Sequence, residues 1–282
     1  MPLKVGFIGV GEVCRCLAPA MEQRGVEVAG FDADAAKAAA GGIRLLPLAE
    51  LIGWADYVLS TVTVSQAVIA AQSCALHLSP GKVYVDLNST SPEVKRRIEA
   101  IIAAPGADFV EGAILGAVGV SGARTRILTG GKKGRIAAET LAQAGLAATF
   151  YSEETGKAST FKMLRSVFSK GLEALILELL IAGRRAGIEE DLWADISEFM
   201  SGHSFDEVAG NWVRSHGPAC ERRRDEMAQV NEVLRGIGVE GLMSEATEAF
   251  FRRSTELGLR KKFPLKAAST GEVVAFLEGR LR

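Results

Sequence analysis

The sequence predicts an α/β domain with a mainly parallel, doubly wound sheet, joined by one long interdomain helix to an all-α C-terminal domain. Three observations carry this expectation. Short, apolar, β-prone runs alternate with helical segments from Lys4 to Tyr151, the order that builds a parallel sheet with helices on both faces. After Tyr151 no convincing strand pattern occurs. Between the two regimes, residues 156 to 185 read as a single helix. The boundary falls near residues 151–156, giving domains 1–152 and 153–282.

The first elements are the most informative. Lys4-Val5-Gly6-Phe7-Ile8 is a buried strand, Gly9-Val10-Gly11-Glu12-Val13-Cys14 a glycine turn, and a helix runs from near Glu12 to Arg24, ended by Gly25. Val26 to Phe31 is a second strand with Asp32 at its tip. A βαβ unit with a glycine turn and an acid about twenty residues on is the pattern that holds a dinucleotide. Gly9 permits the tight turn, and Gly11, lacking a Cβ, lets a pyrophosphate lie against the backbone. The helix N-terminus at Val10, Glu12 and Val13 turns N–H groups and the positive dipole end toward phosphates. Asp32 accepts hydrogen bonds from ribose hydroxyls and repels a 2′-phosphate; the next basic residue is Lys37. The cofactor predicted is therefore NAD, with NADP as the alternative. Cys14 stands where a third glycine is usual and is small enough to pass. A ligand-free structural βαβ is the plainer reading of the same residues.

The remaining elements follow in order. Strands are expected at Ile43-Arg44-Leu45, Tyr57 to Thr61, Val83 to Leu87, Phe109-Val110, Arg126 to Thr129 and Ala148 to Tyr151. Helices are expected at Pro47 to Gly53, Ser65 to Leu78, from the N-cap Ser91 and Pro92 to Ala103, and near Arg135 to Ala144. In the second domain the long helix is apolar nearly all round from Leu172 to Ile181, a sign of burial in the domain or between subunits. Further helices fit Glu189–Met200, Phe205–Ser215, Ala219–Gly236, Gly241–Leu257 and a last one from Thr270.

With 282 residues, 48% hydrophobic and 24% charged, and a formal net charge of −1, the chain reads as an ordinary soluble globular protein. No basic excess points to nucleic acid, and no apolar run reaches membrane-spanning length. The first strand begins at once, without a leader pattern, so a cytoplasmic location is expected. Cys14, Cys16, Cys74 and Cys220 lack the spacing and histidine partners of a metal site and read as reduced thiols, with no metal.

On the long helix Ser159, Lys162, Ser166, Ser169 and Glu173 share one face. Such a stripe either meets water or lines a cleft, and a helix leaving the last strand can present Lys162 to the crevice outside the strand ends.

At these residues the chain resembles the β-hydroxyacid dehydrogenases, the group that includes 6-phosphogluconate and 3-hydroxyisobutyrate dehydrogenases. Residues 6–11, GFIGVG, stand where that family has GFIGLG; residues 86–92, DLNSTSP, match D-x-S-T-x-x-P. Residues 109–117, FVEGAILGA, lie at the FVDAPVSGG substrate loop, and residues 156–162, GKASTFK, match G-x-G-x-x-x-K. The resemblance implies a Rossmann domain and a homodimer or higher oligomer formed through the helical domain. It implies a small-molecule substrate and hydride transfer with Lys162 as general acid/base. It places Val62, Thr63 and Ser89 on the cofactor and Leu115, Gly116 and Ala117 on the substrate. Ser166 stands where the family has a catalytic asparagine, and Leu115 where it has a serine. A buried substrate group left unpaired by that change costs about 1–3 kcal/mol, so the substrate is less polar near the reacting carbon or held differently. Lys157, Arg165 and Lys170 are neighbours whose charge could depress the Lys162 pKa. Residues 162–166 also resemble a divergent branch of the superfamily with its own helical domain.

In the helical domain His216 is a candidate acid or base, and Arg222 with Arg223 a candidate carboxylate or phosphate clamp; a solvated helix face explains the same residues. Two other functions fit the sequence: an imine reductase-like enzyme, and a cofactor-binding regulator without catalysis.

Overall fold

The computed structural model describes residues 1–34, 36 and 42–280; Lys37 lies outside the described residues. The chain divides into two compact units, Met1–Val167 and Phe168–Arg282. The division falls inside the long helix, whereas the sequence reading put the boundary before it, at 152.

The first unit is built on an eight-stranded sheet among the described residues, in the order β3-β2-β1-β4-β5-β6-β7-β8. The strands are β1 (Lys4–Ile8), β2 (Glu27–Phe31), β3 (Arg44–Leu45), β4 (Tyr57–Ser60), β5 (Val83–Asp86), β6 (Asp108–Leu115), β7 (Arg126–Gly130) and β8 (Ala148–Ser152). The first six run parallel; β7 is antiparallel to β6, and β8 is parallel to β7. The sheet is thus mainly parallel, as predicted, with a reversed pair at one edge. The connecting helices are α1 (Glu12–Glu22), α2 (Leu48–Trp54), α3 (Ala67–Ala75), α4 (Pro92–Ala103), the single turn α5 (Val118–Ser121) and α6 (Gly134–Gln143).

Two apolar layers sandwich the sheet. Val5, Phe7, Leu59, Val85 and Val110 face Leu17 and Met21 of α1 and Leu141 of α6. Ile8, Val58, Tyr84 and Phe109 face Leu51 and Ile52 of α2 and Ile98 and Ile102 of α4. The side-chain period of two assigns alternate residues of each strand to opposite layers, and strands buried on both faces read as continuous apolar runs. Cys14 is fully buried against the first layer, where its burial pushes the thiol up to about 12; it serves as a small hydrophobe at the third glycine position. Strand β6 is much longer than the Phe109-Val110 pair expected, because residues 109–114 are all buried and pair with β5 and then β7.

The helix α7 (Lys157–Ala186) follows β8. The second unit continues with α8 (Glu189–Ser201), α9 (Phe205–Arg214), α10 (His216–Gly236), α11 (Leu242–Glu256), α12 (Leu259–Lys262) and α13 (Thr270–Glu278). Ser204 caps α9 with a reciprocal Glu207 box. Glu178 of α7 is buried and accepts the Met243 and Ser244 N–H groups at 2.7 and 2.9 Å, capping α11. The apolar half of α7 is less enclosed than expected: Leu172, Leu175, Leu177 and Ile181 are 41–55% exposed in the single chain. Among the described residues no helix is long and apolar enough to cross a membrane.

Candidate active site

The sheet order reverses between β1 and β4, which marks the crevice at their carboxyl ends as the ligand position of an open α/β sheet. A cavity of about 510 Å³ lies there, lined by Gly9, Gly11, Glu12 and Val13 after β1, Asp32 after β2, and Val62 and Thr63 after β4. Gly9 has φ +90°, and a Cβ there would stand 2.9 Å from the Thr61 carbonyl oxygen, so the turn demands glycine. Gly11 has nothing within 4 Å of where its Cβ would be, leaving backbone open to the cavity, and no side chain caps the N-terminus of α1. This cradle fits a pyrophosphate. Val10 does not line the cavity. Its side chain is core, and its N–H donates to Asp32 Oδ2 at 2.9 Å. The Asp34 N–H donates to Oδ1 at 2.9 Å. The Asp32 carboxylate is thereby fixed at the cavity wall, with lone pairs remaining for ribose hydroxyls.

A second cavity, of about 600 Å³, shares Glu12, Val13, Thr61 and Val62 with the first and adds Ser89, Gly116, Ala117 and Lys162. Lys162 reaches it because α7 is pinned at its start. Gly156 turns the chain at φ +102°, and Glu111 of β6, fully buried, accepts the Gly156 and Ser159 N–H groups, both at 2.7 Å. Ser159 is buried on the face that Lys162 continues one turn later. Lys162 Nζ donates to Ser89 Oγ at 2.5 Å. Burial, and then the charge of Lys95, hold the Lys162 pKa below the ordinary lysine value.

Lys95 is the residue sequence reasoning missed. It is fully buried, donates to the carbonyl oxygens of Asp86 (2.7 Å) and Gly112 (3.2 Å), and its Nζ lies 3.2 Å from Asp86 Oδ2. That last contact is an ion pair without the alignment of a hydrogen bond. Asp86 Oδ1 in turn accepts the Asn88 N–H at 3.0 Å. The signal was present: Lys95, Ile98 and Ile102 are spaced by three and four on the buried stripe of α4. The neighbours proposed from sequence are engaged elsewhere or exposed. Lys157 pairs with Glu154, Lys170 with Glu173, and Arg165 is solvent-facing and does not line the cavity.

Three other candidates are corrected. Leu115 does not line the cavity; the strand alternation gives that place to Ile114 and packs Leu115 against the cluster of Ala113, Leu128 and Ala158. The Ser166 hydroxyl donates to the Lys162 carbonyl oxygen at 3.1 Å, within its own helix. Arg222 and Arg223 do not act as a pair, because consecutive helical residues point about 100° apart. Arg222 binds Glu226, while Arg223 donates to the Trp212 carbonyl oxygen (3.2 Å) and Ser215 Oγ (2.9 Å), closing the end of α9.

His216 belongs to the second unit. It is buried beside Phe251, its Nε2 lies 2.9 Å from Ser254 Oγ, and burial, then Arg223, lowers its pKa.

Residues 4–146 match the family model of the NAD binding domain of 6-phosphogluconate dehydrogenase, and residues 184–254 match a domain of unknown function, DUF1932. The chain is 32% identical to the conserved protein MTH1747, of unknown function, whose structure is described as similar to 3-hydroxyacid dehydrogenases. The match covers 90% of this chain and 97% of that one, with a TM-score of 0.60. It is 27% identical over 260 residues to an uncharacterized 28.5 kDa protein of Methanothermus fervidus, covering 90% of this chain and 100% of the relative. An imine reductase variant from Myxococcus stipitatus, in complex with NAD+, has the same fold at 19% identity, with a TM-score of 0.78 over 98% of this chain and 100% of that one. The glycine cradle, the fixed acid after β2 and these matches agree, and the chain belongs to the family of the 6-phosphogluconate dehydrogenase NAD-binding domain.

Proposed function

We propose that the chain is an NAD-dependent oxidoreductase that moves hydride between the nicotinamide and a hydroxy-acid-like alcohol or its carbonyl, with Lys162 as general acid/base. The observation that carries this reading is the Lys162–Ser89 pair in a cavity that shares four wall residues with the dinucleotide cavity. The nicotinamide, when bound, accepts or supplies the hydride. Gly9, Gly11 and the start of α1 hold the pyrophosphate, and Asp32 holds the ribose hydroxyls and selects NAD over NADP. In oxidation the neutral Lys162 amine takes the hydroxyl proton as hydride leaves the carbon; in reduction the ammonium returns it. Ser89 orients the Nζ by accepting its hydrogen bond. The lowered pKa of Lys162 supports this role, since a base must be neutral in an accessible pH range.

A second reading is reduction of a C=N bond. It is favoured by the identity of residue 115, a leucine packed outside the cavity where the resemblance implies a serine hydroxyl for a hydroxyacid.

The test offers purified protein NAD+ or NADP+ with a panel of hydroxyacids and alcohols, and NADH or NADPH with ketones and cyclic imines. Wild type is compared with Lys162→Ala. Turnover on at least one alcohol or carbonyl, lost by a factor of about 10²–10⁴ in Lys162→Ala, supports the proposal. Tight cofactor binding with no turnover on any of them sinks it and leaves the non-catalytic regulator.

A further inference from the structure

We propose that Lys95 is a positioning residue for Lys162: a sealed ammonium that anchors, through Asp86, the turn carrying Ser89, the hydrogen-bond partner of the Lys162 amine. The inference rests on the reading of Lys162 as an acid/base but concerns a residue that touches neither cofactor nor substrate.

The geometry is specific. Lys95 has no exposed surface, and its ammonium is fixed by one carboxylate and two carbonyl oxygens. Two of its N–H groups donate to those carbonyl oxygens, and the Asp86 carboxylate balances its charge. Asp86, its counter-ion, begins the run Asp86-Leu87-Asn88-Ser89, and the same carboxylate binds the Asn88 N–H and side-chain amide. Asn88 also donates to Ser60 Oγ at 2.9 Å. The run that ends at the Lys162 partner is therefore tied down through Lys95.

The charges around Lys162 come from several elements. Glu12 of α1 lines the same cavity. Lys95 of α4 is paired to Asp86 of β5, and Glu111 of β6 is committed to the α7 N-terminus. On α7 itself Arg165 is exposed and Lys157 is paired. Burial is the larger cause of the depressed Lys162 pKa and Lys95 the one charge that adds to it. A like charge in a low-dielectric wall favours release of an ammonium's proton.

The test reads the Lys162 amine directly, without turnover. The cofactor-free full-length protein is labelled with trace acetic anhydride from pH 6 to 11, and the Lys162 peptide is quantified by mass spectrometry. In Lys95→Met the labelling midpoint should rise by about 1 pH unit, a roughly tenfold slower reaction at neutral pH. Lys95→Arg, which keeps the charge, should leave the midpoint near that of wild type. Lys95→Met strands the Asp86 carboxylate; if that variant does not fold by circular dichroism, Lys95→Met/Asp86→Asn, which removes both charges of the pair, carries the same expectation. A folded Lys95→Met or double variant with an unmoved midpoint overturns the proposal. A raised midpoint in a protein without hydride transfer would keep the role of Lys95 and defeat the proposed reaction, so the two outcomes are distinguishable.

Discussion

Asp32 meets the cavity with both carboxylate oxygens already engaged, one by Val10 and one by Asp34. A carboxylate held this way keeps one orientation, so the choice of ribose over phosphorylated ribose proposed for it needs no prior ordering. Asp32→Asn should weaken NADH binding by about tenfold, in line with ~1.5 kcal/mol for a hydrogen bond to a charged group. It should also narrow the gap to NADPH by removing the repulsion. Fluorescence titration of both reduced cofactors measures this. Lys162 gives a second expectation at this scale. Burial and the Lys95 charge hold its pKa below the ordinary lysine value, so the rate of alcohol oxidation should rise with pH through a midpoint below that value. Carbonyl reduction should fall through the same limb, because it needs the ammonium. Initial-rate pH profiles in both directions test the sign. The residues legible in sequence were those with a local pattern: glycines after a strand, an acid at a strand tip, a lysine behind a G-x-x-x-x-x-K run. Leu115 was misjudged because a one-residue step along a strand exchanges faces, and the strand end of β6 was not visible in the sequence.

At the scale of elements, two buried carboxylates do work that no local motif announces. Glu111 holds the start of α7 and Glu178 the start of α11, each across more than forty residues. Such contacts join parts of the chain that only the fold brings together, so sequence reading found most helices and strands but not what fixes their ends. Anions at helix N-termini are favoured by the unpaired N–H groups and the dipole. Glu111→Gln should keep its shape yet lose the charge-assisted bonds, lowering stability by about 1–3 kcal/mol in urea denaturation. It should also reduce the Lys162-dependent rate through a less fixed α7. Equal stability and rate would show that shape alone suffices. The reversed β7–β8 pair escaped sequence reading for a related reason: a buried apolar run fits either direction, and only the connection length between β6 and β7 hints at an antiparallel neighbour.

For the whole molecule, the apolar residues of α7 that remain uncovered in one chain bear on how many chains act together. Leu172, Leu175, Leu177 and Ile181 leave apolar area exposed on more than one side of the helix, and we propose that a second copy covers it. Sedimentation equilibrium should then give at least twice the chain mass, and Leu175→Lys/Ile181→Lys should return it to one; a monomeric wild type would refute the pairing. The consequence reaches into heat stability. If folding and pairing are one event, the melting temperature is no fixed property of the sequence. It should climb as the protein is concentrated and slide down on dilution, because association draws the folded form forward by mass action. The apolar residues from Leu172 to Ile181 of one helix would thus make the amount of protein present a term in how well each molecule survives.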